Sequence, residues 1–151
     1  MRMNWRGALA IALALATMGS TCDESDNRVT GTYTLTITES RDTCDQEPNT
    51  FASSVTITAQ SGGGYVVSFG EDAELTGEFS DDGVLVAQGI IDDQGDGRTT
   101  TMIVGFLFRQ GSIEGTGRLT YNGTFPDVPT ACIQEFGMTG QRSDNRAPII
   151  G

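Results

Sequence analysis

From Val29 to Thr38 the chain alternates without a break. Val29, Gly31, Tyr33, Leu35 and Ile37 fall on one side, and Thr30, Thr32, Thr34, Thr36 and Thr38 on the other. A period of two places successive side chains on opposite faces of an extended strand, whereas a helix would scatter the same residues around its circumference. Threonine suits the solvent face of such a strand because its β-branch favours extended backbone. The first secure element is therefore a half-buried β-strand.

The same period recurs along the chain. After a loop read from Glu39 to Ser53, which holds Cys44 and Pro48, Val55, Ile57 and Ala59 alternate with Thr56 and Thr58, and a turn follows at Ser61–Gly64. Tyr65, Val67 and Phe69 form a third strand, and Ala73, Leu75, Gly77 and Phe79 a fourth that ends at Ser80-Asp81-Asp82-Gly83, a strong turn signal. The fifth, Val84 to Ile91, is apolar on both faces, so its register stays open. The sixth, Thr99 to Arg109, puts Met102, Val104, Phe106 and Phe108 on one face and Ile103 and Leu107 on the other. Ile113, Gly115, Gly117, Leu119 and Tyr121 mark a seventh. An eighth runs from Cys132 to about Arg142, with Phe136 and Met138 in phase with the cysteine. No helical period and no internal repeat shows in this region.

About eight consecutive strands joined mostly by short turns describe an all-β antiparallel meander. Closing the sheet into a single barrel removes its unpaired edges. In-strand glycines at 31, 77, 89, 105, 115 and 117 fit the sharp bends of a small barrel. The alternative is a two-sheet β-sandwich, with the doubly apolar fifth and sixth strands at its centre.

The segment ahead of the strands has a different layout. Arg2 and Arg6 precede an apolar run of about ten residues, Gly7–Ala16, and then small residues up to Cys22. This is the layout of an export signal, and the run is too short for a membrane-spanning helix, which needs roughly 17–25 residues. Residues 1–21 read as a signal peptide, 22–28 as an acidic tether, 29–142 as the barrel domain and 143–151 as a flexible tail.

Three cysteines, Cys22, Cys44 and Cys132, are an odd number for an oxidising compartment. Cleavage after Ala16 would leave Cys22 as a loose thiol. If Cys22 instead becomes a lipid-bearing N-terminus, Cys44 and Cys132 form one disulfide. They follow the first strand and open the last, which are neighbours only in a closed sheet. Gly19-Ser20-Thr21-Cys22 resembles the lipobox of bacterial lipoproteins, with Gly19 where the family prefers Leu and Thr21 where it prefers Gly, Ala or Ser. That resemblance implies a palmitate-type diacylglyceryl group on Cys22 and anchorage to a membrane of the cell envelope; the alternative is a secreted or periplasmic soluble protein.

The side-chain inventory narrows function further. There is no His, all nine cations are Arg, and twenty acids give a net charge of −11. Without His or Lys the chain has no Ser-His or Cys-His pair, no imidazole zinc site, no Schiff base and no P-loop lysine. The acidity argues against nucleic acid, whose binders carry a positive stripe. We read the protein as non-enzymatic, with no cofactor and no metal. Asp92–Gly97 has acids at the first and fifth places of an EF-hand loop and Gly at the sixth, but Gln94 and Ile103 stand where ligands are required, so it reads as a hairpin turn. Glu71-Asp72 and Asp81-Asp82 could be glycosidase carboxylates, yet both lie in turns where acids are common, and the only Trp, Trp5, is in the signal. Asn122-Gly123-Thr124 fits a glycosylation sequon that a bacterial lipoprotein would leave bare.

An eight-stranded barrel is just wide enough to be filled by its own side chains or to hold one small ligand. Its expected interior carries Tyr33, Tyr65, Phe69, Phe79, Phe106, Phe108, Tyr121 and Phe136, enough rings to fill it. A ligand pocket, if formed, would be lined by Tyr33, Tyr65, Phe69, Phe106, Phe108 and Tyr121, with Met102 and Met138. In strand count and glycine placement the chain resembles the calycin-like barrels, the lipocalin and avidin group. Gly31-Thr32-Tyr33 stands where lipocalins place Gly-x-Trp. Small lipoproteins that inhibit lysozyme share the anchor, size and disulfide but use a Lys that is absent here. Two functions follow as expectations: a membrane-anchored module that binds a protein or surface partner through its loops, or a carrier of a small apolar ligand in the barrel.

Overall fold

The computed structural model describes residues 28–44, 50–71, 73–93, 95, 97–123 and 132–143. The expected signal peptide, Cys22, most of the tether, Pro48, Asp72, Gln94, Asp96, Pro126, Pro129 and all but the first residue of the tail lie outside them.

Eight strands follow one another: β1 (Gly31–Asp42), β2 (Thr50–Ala59), β3 (Tyr65–Phe69), β4 (Ala73–Phe79), β5 (Leu85–Asp93), β6 (Thr99–Arg109), β7 (Ser112–Asn122) and β8 (Ile133–Arg142). Each pairs antiparallel with the next, and β8 pairs with β1, giving a closed meander barrel. The sandwich alternative is thereby excluded. The β1–β8 seam runs from Tyr33↔Arg142 to Asp42↔Gln134, nine residue pairs against eleven for β6–β7. Beyond it the Thr43 amide donates to the Ile133 carbonyl at 3.0 Å, and Cys44 and Cys132 are disulfide-bonded with Cα atoms 5.0 Å apart.

The interior follows the period of two. Tyr33, Leu35 and Ile37 of β1, Val55 and Ile57 of β2, Tyr65 and Val67 of β3 and Leu75 of β4 point inward. Leu85 and Ala87 of β5, Met102, Val104 and Phe106 of β6, Ile113 of β7 and Phe136 and Met138 of β8 meet them there. All are buried, while Thr32, Thr34, Thr36 and Thr38 stay on the outer wall.

Glycines explain how a small barrel holds so many large groups. Phe106 pairs across the sheet with Gly115, Phe136 with Gly117, Tyr65 with Gly77 and Leu35 with Gly140. A Cβ built on Gly115 would lie 2.5 Å from Phe106 Cδ1, and one on Gly140 would lie 2.5 Å from Leu35 Cδ2, well inside contact distance. At these two positions a large inward side chain lies over the bare backbone of the neighbouring strand, whereas a Cβ on Gly77 would meet Ala87 of β5 and one on Gly117 would meet Met138 and Val104. The glycines provide space opposite bulk as much as bends. Gly105 differs from this expectation, because it lies between the inward Val104 and Phe106 and faces out.

Two sequence expectations are corrected and one open register is resolved. The segment read as a loop from Glu39 to Ser53 is in large part strand: β1 continues to Asp42 through a bulge between Glu39 and Arg41, and β2 begins at Thr50. The bulge breaks the alternation that betrays a strand. Phe79, in the inward phase of β4, sits at the barrel mouth and is exposed, so seven of the eight rings contribute to the interior or its margins. The doubly apolar β5 resolves by register: Leu85 and Ala87 face in, Val86 and Ile90 face out, and Ile91, in phase with Leu85 and Ala87, packs against the core at the bulge between Ile90 and Asp92.

Candidate functional site

The six residues expected to line a pocket occupy three separate places. At the end of the barrel where β1 begins, Tyr33 and Phe108 meet edge to face at 5.9 Å, Phe108 lies 6.0 Å from Phe79, and Phe79 meets Tyr65 edge to face at 5.4 Å. These rings form a continuous chain across the mouth, with the Arg142 guanidinium 5.9 Å from the Tyr33 centroid. Tyr33 also donates its hydroxyl proton to the Val29 carbonyl at 2.9 Å, which fixes the segment before β1 over this end, with Val29 buried in the core. Phe69 and Phe106 pack at 6.3 Å in a second group deeper in the barrel.

Tyr121 belongs to a third group at the disulfide end. Its hydroxyl donates to Gln134 Oε1 at 2.9 Å, and Gln134 and the neighbouring Thr100 are the buried polar side chains of the described residues. Burial pushes the Tyr121 phenol above its ordinary pKa, and the nearby carboxylates of Asp42 and Glu39 push it in the same direction. Asp42 also accepts the Cys44 amide at 2.5 Å, so one carboxylate serves both the disulfide turn and this end of the barrel. The sequence reading missed Glu39, Asp42, Thr100 and Gln134. A signal existed for three of them: Glu39 continues the inward phase of Ile37, Thr100 that of Met102, and Gln134 that of Phe136.

Between the two ends the interior is occupied by side chains. Tyr33 is 1% exposed and Phe106 fully buried, and the aliphatic groups around them are equally enclosed. The two best-formed concavities among the described residues lie outside the barrel. One, of about 550 Å³, sits over β4 and β5 beside the β2–β3 turn, with Gly64, Thr76, Glu78, Val86 and Gln88 in its lining. The other, of about 260 Å³, crosses β1, β8 and β7 above Gly137, with Thr36, Thr38, Thr139 and Glu114 around it. Both are shallow and open to solvent.

Glu71 lies in the β3–β4 turn and Asp81-Asp82 in the β4–β5 turn, while Asp92 and Asp93 end β5. Among the described residues no group of three or more His, Cys, Asp or Glu side chains comes close enough to hold a metal ion. No protein-family model, no curated protein and no solved structure matches the chain.

Proposed function

We propose that the protein is an exported, lipid-anchored, calycin-like barrel of the cell envelope that works as a non-enzymatic binding module for a protein partner. The observation that carries this reading is the filled interior. Tyr33, Leu35, Val55, Leu75, Leu85 and Phe106 leave the barrel lumen to one another, so a partner is met by the loops and the outer wall. A chain without His or Lys and with a net charge of −11 supports binding over catalysis and a cationic partner over nucleic acid. The anchor rests on Cys22, because lipidation there leaves Cys44 and Cys132 as one matched pair.

Native mass spectrometry of the protein extracted in mild detergent tests the filled barrel. The expected spectrum holds the lipidated chain alone, and a stoichiometric co-purified small molecule would favour the carrier. Metabolic labelling with a clickable palmitate analogue tests the anchor: label is expected on the native protein and absent from Cys22→Ala, and equal labelling of both would overturn it.

A further inference from the structure

We propose that the outer wall formed by β5 and β6 is a docking surface for a cationic amphipathic polypeptide segment. Val86, Ile90, Ile103 and Leu107 point away from the core and are 40%, 60%, 39% and 40% exposed. They are contiguous. Val86 pairs with Gly105, Gln88 pairs with Ile103, and Ile103 and Leu107 flank Gly105 along β6. Gly105 has no side chain, and a Cβ there would meet only Val84 Cγ1, at 3.4 Å, so the centre of the stripe is a shallow apolar floor.

The charge pattern says what fits. The outward positions of these two strands from Val86 to Leu107 are Val86, Gln88, Ile90, Thr101, Ile103, Gly105 and Leu107, none of them charged in a chain with twenty acids. Depletion of charge inside a polar border marks the centre of a binding patch. The border is acidic on balance: Glu78 of β4 is the cross-strand partner of Val86 and Glu114 of β7 that of Leu107, while Arg118, the partner of Ile103, is tied to Glu135 at 2.6 Å and Arg109 lies past the stripe at the end of β6. Directly opposite residues stand about 4.5–5.5 Å apart, so each carboxylate lies beside the apolar floor. The concavity over β4 and β5 adjoins this edge through Val86, Glu78 and Gln88. A Lys or Arg of the partner can lay its stem on Val86 and bring its charged head to Glu78. An anionic lipid surface is disfavoured by the net charge of −11.

This proposal deepens the reading of the barrel as a protein-binding module and places the contact on its wall. The test uses the full exported protein in a non-ionic detergent and two labelled amphipathic helices of about 18 residues, one of Leu and Lys and one of Leu and Glu, followed by fluorescence anisotropy. The Leu/Lys helix should bind in a salt-sensitive manner and the Leu/Glu helix should not. Ile103→Ser with Leu107→Ser should weaken binding about tenfold or more, the loss expected for removing two apolar contacts. Glu78→Gln with Glu114→Gln should weaken it and flatten its salt dependence, while Thr36→Ser on the far wall should leave it unchanged. Circular dichroism of each variant should match the parent, since every substituted side chain faces solvent. Three results would overturn the proposal: binding indifferent to Ile103→Ser with Leu107→Ser, equal binding of the two helices, or a concentration-dependent doubling of mass abolished by the same variant, which would assign the wall to a second copy. The binding-module reading fails separately, through a small molecule found in the barrel by native mass spectrometry.

Discussion

Cys44 and Cys132 lie two residues beyond Asp42↔Gln134, the last pair of the β1–β8 seam, and their bond continues that seam past its final rung. The two residues are 88 apart in sequence, so the bridge closes a covalent ring that contains β2 to β7 and pins the ends of β1 and β8 together. Hydrogen bonds surround it: Thr43 and Ile133 bond to each other through backbone and side chain, and the Tyr121 amide donates to the Cys132 carbonyl at 3.1 Å.

A cross-link closing a loop of that size restricts the unfolded chain and is worth about 2–5 kcal/mol. Cys44→Ala with Cys132→Ala should lower the free energy of unfolding by that amount in urea titrations. Both thiols of the native protein should resist alkylation until reductant is added.

The pairing of large groups with glycine separates two substitutions that look alike in sequence. Gly115→Ala would force a methyl to within 2.5 Å of the Phe106 ring and of the Gly105 carbonyl. We expect a loss of about 1–3 kcal/mol, as for other overpacked cores. Gly137→Ala places its methyl on the outer wall, 3.9 Å from the Thr38 carbonyl. It should be neutral or stabilise by up to about 1 kcal/mol, because alanine surrenders less backbone entropy in a strand. Thermal unfolding of the two variants side by side checks the contrast.

Tyr33→Phe keeps the ring and removes the hydroxyl that donates to the Val29 carbonyl. A buried carbonyl deprived of its donor costs about 1–3 kcal/mol. The loss should come with faster amide exchange in the segment that enters β1.

Tyr121 gives the fold a signature at high pH. Its folded pKa lies above the ordinary 10.0 of a tyrosine, so the folded state keeps a proton that the unfolded chain releases. The associated stability is fully present below pH 10 and is lost as pH rises through the folded pKa. Unfolding free energies measured upward from pH 9 should therefore fall more steeply for the native protein than for Tyr121→Phe. The difference between their phenolate absorbance titrations should place Tyr121 later than an unperturbed tyrosine.

Much of this architecture is legible in the sequence because a half-buried strand writes its burial into alternate positions. Thr30 to Thr38 and Met102 to Phe108 reveal both strand and face, and the cysteines at 44 and 132 reveal the closure. Legibility fails where the physics is not local. The bulge at Glu39–Arg41 shifts the phase and hides the end of β1. Val84 to Ile91 is apolar on both faces, so only its pairing with β4 and β6 decides which side is the core, and the outward half becomes the wall proposed for docking. The aromatic residues were legible as inward, but their division among three places depends on depth along the barrel, which the period of two does not encode.

Amide hydrogen exchange along β1 tests the closed barrel most directly. In an antiparallel sheet successive amides point to opposite neighbours. With β2 on one side and β8 on the other, every amide from Tyr33 to Thr38 should be protected without a gap. Rapid exchange at every second residue of that run would mean that one edge of β1 is open, and would contradict the account.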